Sequence, residues 1–170
     1  MWRRNGERND PANVMERDRY GGVMIWGGIC HRAKTDVVTV AGNLNVVRYC
    51  DEIIRPVVVP FLRRRHAQIF QQDNARPHSA RLTMGVLRDN NIEVLVWPAR
   101  SPDLSPIEHL WDYIGRKLRE RNDVINVRDL QRALVEEWQR TPMTFVRKLI
   151  NSMRRRCDAV IAARGGHTRY

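Results

Sequence analysis

The strongest constraint on the fold lies between Ala67 and Pro98, where the hydrophobic periodicity changes twice. Ala67-Gln68-Ile69-Phe70 is a short strand signal, cut off by Asn74 and Pro77. Ser79 to Asn90 reads as a helix, with Ser79 as its N-cap and Leu82, Val86 and Leu87 on one face. Ile92 to Trp97 alternates at its start and then runs apolar, a pattern that suits a buried parallel strand, and Pro98 stops it. Strand, helix and parallel strand in that order call for an α/β sheet.

Two carboxylates mark the chemistry this segment can support. Asp73 follows the first strand at its C-terminal end, where open α/β sheets collect ligands. Pro102 and Pro106 punctuate the loop after the second strand, and Ser105-Pro106 is a good N-cap and first-turn pair. Glu108 then falls in a first helical turn, where the helix dipole favours a negative charge. With 34 residues between them, the two acids can share one divalent metal site. Such oxygen ligands suit Mg²⁺ or Mn²⁺, and two such ions can clamp the attacking and leaving oxygens of a phosphodiester. Taken in isolation, the pair is more simply a turn residue and a helix-start charge.

Charge narrows the choice of partner. The chain of 170 residues carries a net charge of +11, and 27 of its 30 basic residues are arginine, suited to bidentate phosphate contacts. Residues 1–66 sum to +5, residues 67–111 to −1 and residues 112–170 to +7. An acidic centre between basic flanks fits a nuclease better than a DNA coat, because metals need carboxylates while phosphates need cations; a generic basic surface is the alternative. Cys30, Cys50 and Cys157 are odd in number and lack metal-ligand spacing, which predicts reduced thiols. No apolar run reaches membrane length, and there is no glycine-rich phosphate loop, so neither a membrane nor a nucleotide cofactor is expected. His78 and His109 lack partners at zinc spacing.

Around this centre the chain reads as one domain over residues 1–170. Residues 1–20 are polar and irregular, a loop or arm that includes Trp2. Val23 to Cys30 and Thr35 to Ala41 predict an antiparallel hairpin, with Gly27-Gly28 allowing a bulge or a close backbone approach. Asp36, at a strand start, is a solvated turn charge. Leu44 to Arg65 is mainly helical, and Pro56 and Pro60 should kink or divide it. Residues 112–170 form a C-terminal helical part. There Val127, Leu130, Leu134 and Trp138 make one amphipathic helix, and Thr141-Pro142 is a further cap and first-turn pair. Phe145, Val146, Leu149, Ile150, Met153, Cys157, Val160 and Ile161 then make one apolar stripe. Arg147, Lys148, Arg154 and Arg155 fall off that stripe and are candidate DNA-backbone contacts, as is Arg76. Gly165-Gly166 ends the helix.

The words DNARPH (Asp73–His78) and WPARSPDLSPIEHLW (Trp97–Trp111), the strand GGVMIWGGI (Gly21–Ile29) and the ending GGHTRY (Gly165–Tyr170) resemble the Tc1/mariner DDE transposases, the ending being similar to the Tc1 branch. The resemblance covers essentially the whole chain. It implies an RNase H-like α/β fold, a mixed sheet flanked by helices, here lacking its first strand and the first of three catalytic carboxylates. It implies Asp73 and Glu108 as catalytic metal ligands for Mg²⁺ or Mn²⁺, and His78 as a supporting residue. It further implies cut-and-paste DNA transposition in the nucleus, with transposon ends and TA target DNA as partners and a homodimer in intact relatives. With one carboxylate missing, this polypeptide alone is expected to be inactive or nearly so. The competing expectation is a non-catalytic DNA-binding or dimerisation remnant.

Overall fold

The computed structural model of the chain describes residues 23–67, 69–99, 101–166 and 168–169. The arm expected over residues 1–20, with Trp2, lies outside them.

The predicted hairpin is present. Strands β1 (Met24–Trp26) and β2 (Val38–Val40) pair antiparallel with Trp26 opposite Val38. Nearer the turn Ile29 bridges Lys34, and the Thr35 amide donates to the Gly28 carbonyl at 2.8 Å. Gly27 therefore faces both Asp36 and Val37, a β-bulge that bends the second strand. Gly27 also allows a close approach. A Cβ there would lie 2.8 Å from the Trp138 ring and 3.1 Å from that of Trp111.

After the Gly42 turn (φ +68°), residues 46–64 form a helix, α1, whose N-cap Asn45 accepts from the Arg48 amide through its side chain. It runs on through both prolines, where a kink or division was expected. An α-helical start (Val46–Arg48) and end (Val59–Arg64) flank a π-helical stretch (Tyr49–Val58) that contains Pro56. Proline lacks an N–H and its ring crowds the carbonyl four residues back; the wider helix turn relieves that conflict without breaking the chain's path.

Strands β3 (Ile69–Phe70) and β4 (Glu93–Val94) pair in parallel, as the sequence indicates. Their crossover holds two corrections. Pro77 starts a helical turn of its own, α2 (Arg76–Ser79), so the main helix α3 (Arg81–Asp89) begins later, with Ala80 and not Ser79 at its N-cap. The Ser79 hydroxyl donates to the Ala75 carbonyl instead. The strand after α3 is also shorter than the apolar run to Trp97 suggests: Val96 is 93% exposed, because the ladder with β3 stops two residues earlier.

A 3₁₀ turn (Pro102–Leu104) leads into α4 (Pro106–Arg119), α5 (Val127–Arg140), α6 (Met143–Asn151) and α7 (Met153–Ala162). Asn126 caps α5, its side chain accepting from the Arg128 and Asp129 amides. Thr141 closes α5, its hydroxyl donating to the Glu137 carbonyl, and Pro142 takes the N-cap position of α6, so they are not the cap and first-turn pair expected. The single apolar stripe from Phe145 to Ile161 is broken at Ser152. Val146 is buried, but Cys157 is exposed and Ile161 is 74% exposed, while Arg156 is buried in their place. The three cysteines are free.

Strand alternation explains how these pieces stack. Trp26, Val38 and Val40 pack on one core with Tyr49, Ile53, Ile54, Val58, Leu87 and Ile92. Val23, Ile25, Ile29 and Val37 pack on a second core with Leu110, Ile114, Leu134, Trp138 and Val146. The hairpin thus has a helical layer on each face, the α/β arrangement expected. Trp138 fastens the second layer: its ring stacks on Trp111 at 4.9 Å, and its indole N–H donates to the Thr35 carbonyl at 2.8 Å. Lys34, at the hairpin turn, donates to the Trp138, Gln139 and Thr141 carbonyls at the end of α5.

Candidate functional site

Among the described residues β1–β2 and β3–β4 remain two separate ladders. A groove of about 480 Å³ lies between β1 and β3. Ile25, Trp26 and Gly27 form one wall, Ile69 and Phe70 the other, and Tyr49 and Phe61 of α1 contribute as well. Asp73 and Glu108 line this groove together with His78 and Trp111. The same two carboxylates line an adjoining cavity of about 380 Å³ with Asn74, Trp97 and Ser105. They stand where the two spaces meet, brought there by the strand-end and helix-start placements the sequence indicates.

Asp73 is held from one side. Its Oδ1 accepts from the Ala75 amide at 3.0 Å and lies 2.5 Å from His78 Nδ1, which donates in the matching tautomer. Among the described residues neither of these contacts uses Oδ2, so that oxygen is left for a cation. Behind His78 stands a buried relay. The Tyr49 hydroxyl donates to Gln72 Oε1 at 2.8 Å, Gln72 Nε2 donates to the His78 carbonyl at 3.1 Å, and the Tyr49 and His78 rings lie 4.4 Å apart. Burial pushes the Tyr49 phenol well above its usual range, so it stays a neutral donor. Asn74 adds a tie to the end of the second strand, donating to the Trp97 carbonyl at 2.9 Å.

Glu108 sits in the first turn of α4 behind Pro106, its amide bonded to the Ser105 carbonyl at 3.2 Å. Ser105 occupies the N-cap position as expected but makes no side-chain cap bond. Glu108 reaches solvent at the groove's lip, yet the walls desolvate its carboxyl and raise its pKa; the negative charges of Asp73 and then Asp112 add to the rise. The rise thus comes first from burial and then from the Asp73 charge across the space the two acids share. A cation between them would reverse it.

The donor chemistry suits a hard divalent ion, since both groups are carboxylates. Among the described residues no set of three His, Cys, Asp or Glu side chains converges on one point. Mg²⁺ is nonetheless commonly held by one or two carboxylates, with water and substrate phosphates completing its octahedron. His109, beside Glu108, is kept below the usual imidazole range by burial and then by the Arg156 charge, which favours a neutral ring.

The other candidates divide. Arg76 is exposed on α2, within the same loop as Asp73. Lys148, Arg154 and Arg155 are exposed on α6 and α7 and Arg147 is partly buried; none of the four lines either cavity. Tyr49 and Gln72 were not legible as site residues. Tyr49 carries no signal of its own within its helical segment, and Gln72 offers only its place beside Asp73.

Comparison with known proteins bears on this geometry. A family model described as DDE superfamily endonuclease matches residues 1–131. The Tcb1 transposase of Caenorhabditis briggsae is 34% identical over 97% of this chain, and the Tc1 transposase of Caenorhabditis elegans is 32% identical over 97%. The chain spans 61% of the length of each of these relatives. Among solved structures, the Mos1 mariner paired-end complex with Mn matches with a TM-score of 0.77 at 26% identity, covering 89% of this chain and 46% of that one. The catalytic domain of Mos1 mariner transposase matches with a TM-score of 0.73 at 25% identity, covering 85% and 75%.

Proposed function

Since the chain belongs to the DDE superfamily endonucleases, in their Tc1/mariner group, we propose that it is the metal-dependent nuclease core of a DNA transposase, with Asp73 and Glu108 as its metal ligands. The observation that carries this reading is the shared position of the two carboxylates at the mouth of one groove, where burial and then the Asp73 charge raise the Glu108 pKa. Mg²⁺ or Mn²⁺ bound there would supply Lewis-acid activation of the attacking oxygen and neutralise charge on the scissile phosphate. Asp73 presents Oδ2 while His78 and the Ala75 amide fix its rotamer. A cation there would favour the charged form of Glu108, opposing the burial that raises its pKa. Arg76 stands next to this pair as a phosphate contact, and Arg147, Lys148, Arg154 and Arg155 are contacts for DNA running beyond it.

The resemblance implies a third carboxylate on a further strand. The groove between β1 and β3 offers what such a strand needs: apolar walls and a strand edge on each side. A carboxylate carried there would face Asp73 and Glu108. The substrates in this reading are transposon ends and a TA target in the nucleus, with the enzyme acting as a homodimer. None of the described helices is long and apolar enough to cross a membrane.

The test is cleavage of labelled duplex DNA in Mn²⁺, comparing the chain with Asp73→Ala and Glu108→Gln. With two of the three carboxylates the resemblance implies, the chain alone should nick weakly at most, and any nicking that requires the metal and both carboxylates supports the nuclease reading. DNA retention with no nicking in any form leaves the non-catalytic binding remnant as the better account of this polypeptide.

A further inference from the structure

Thr168 has no part in the site so far, yet the fold brings it onto the turn that precedes Glu108. The Thr168 amide and hydroxyl both donate to Asp103 Oδ2, at 3.2 and 2.7 Å. Asp103 lies in the 3₁₀ turn whose last amide contacts run directly into α4: the Ser105 amide donates to the Pro102 carbonyl at 2.8 Å, and the Glu108 amide to the Ser105 carbonyl. The same turn is gripped a second time. Arg156, only 2% exposed, donates from Nη1 to the Asp103 carbonyl at 2.9 Å and from Nε to the Ser152 hydroxyl at 2.7 Å. Ser152 is the break between α6 and α7, so the grip is anchored at a buried joint.

The path back from α7 is built for this return. Arg164 and Gly165 both take positive φ, +50° and +79°, and the Gly165 amide closes onto the Val160 carbonyl at 2.9 Å. This is a left-handed helix end that reverses the chain. An isolated turn of Pro102–Leu104 has little to fix it, since a single 3₁₀ turn makes few bonds. Here both the carbonyl and the carboxylate of its central residue are held by segments 53 and 65 residues away.

We propose that the C-terminal segment around Thr168, with Arg156, is a clasp that holds the Asp103 turn and thereby sets the position of Glu108 against Asp73. Thr168, Arg156 and Asp103 are positioning residues in this account, acting through the helix start that carries Glu108. The inference rests on the paired-carboxylate reading of the site.

The clasp is tested on the full chain with Thr168→Val, which removes the hydroxyl at nearly constant volume, and Thr168→Ser, which keeps it. Two quantities are read: hydrogen exchange of the amides over residues 103–108, and the dissociation constant for Mn²⁺ alone by calorimetry. In Thr168→Val the exchange should quicken over that stretch and Mn²⁺ affinity should fall about fivefold, the scale of one lost hydrogen bond. Thr168→Ser should restore both. Arg156→Lys, which keeps the charge but loses the fork, should act in the same direction as Thr168→Val. Unchanged exchange and affinity in Thr168→Val overturns the clasp, as does a Thr168→Ser variant that behaves like Thr168→Val. If the wild-type chain binds no Mn²⁺, the carboxylate reading fails separately, and the exchange data decide whether the clasp exists.

Discussion

Replacing Lys34 with methionine probes how the hairpin is fastened to the helices that carry Glu108. The two side chains are similar in length, and the substitution leaves the hydrophobic packing of the stem nearly intact. What is lost is the ammonium, which donates to three carbonyls that end α5, those of Trp138, Gln139 and Thr141. Hydrogen bonds from a charged donor contribute about 1.5–3 kcal/mol each when buried. The Gln139 contact is exposed and water can replace it, so its share is small. Burial also lowers the Lys34 pKa, so desolvation of the ammonium offsets part of the remaining gain. The net loss for Lys34→Met should be about 2 kcal/mol, a drop of about 4–8 °C in melting temperature for a chain of this length. Chemical denaturation followed by tryptophan fluorescence reads this, because the buried Trp138 ring becomes exposed when the layers part. A midpoint that falls with an unchanged slope is the expected result. A loss below about 0.5 kcal/mol, the scatter of ordinary surface changes, would refute the claim that this cap joins the layers.

Three other outcomes follow from the same geometry. Gly27→Ala places a methyl within 2.8 Å of the Trp138 ring and should cost about 1–3 kcal/mol by overpacking, measured by thermal unfolding. His78→Phe keeps a ring against Tyr49 but removes the donor to Asp73 Oδ1; the fold should persist while Mn²⁺ affinity falls about tenfold by calorimetry. For Glu108 the folded pKa lies above its ordinary value of 4.5, so the native state holds that proton to higher pH than the unfolded chain does. Its contribution to stability therefore declines as pH rises from the unfolded pKa through the folded one. Glu108→Gln should be more stable than wild type at neutral pH without metal, and the advantage should vanish below about pH 4, which melting curves across pH would record.

Much of this could be read from the residues because local chemistry and tertiary packing agree. Asn74 and Pro77 are poor strand residues, and Ser105-Pro106 favours a helix start, so local chemistry alone places Asp73 at a strand end and Glu108 in a first helical turn. Gly27-Gly28 likewise marks the close backbone approach, while the extra residue of the bulge lies on the facing strand at Asp36 and Val37. Several misreadings arise where packing overrules a local rule, while those at Ser79 and Thr141-Pro142 are local shifts of a helix cap beside a proline. Pro56 was absorbed by a π-helical stretch whose buried face, Tyr49 to Val58, is worth more than an ideal helix. Past Ser152 the chain packs on the Pro102–Leu104 turn through Arg156, so Cys157 and Ile161 of the Phe145–Ile161 periodicity face solvent. Val96 looks like a core strand residue, but the ladder ends before it. The supports of the site were the least legible, since Tyr49, Gln72, Arg156 and Thr168 act through contacts between residues far apart in sequence.

The central claim is that Asp73 and Glu108 form one divalent-metal site. Calorimetric titration of Mn²⁺ into the folded chain, beside Asp73→Ala and Glu108→Gln, tests it most directly. The account predicts saturable binding by the wild type that is lost in Asp73→Ala and strongly weakened in Glu108→Gln. Equal binding by all three, or no binding by a wild-type chain shown to be folded, would contradict it.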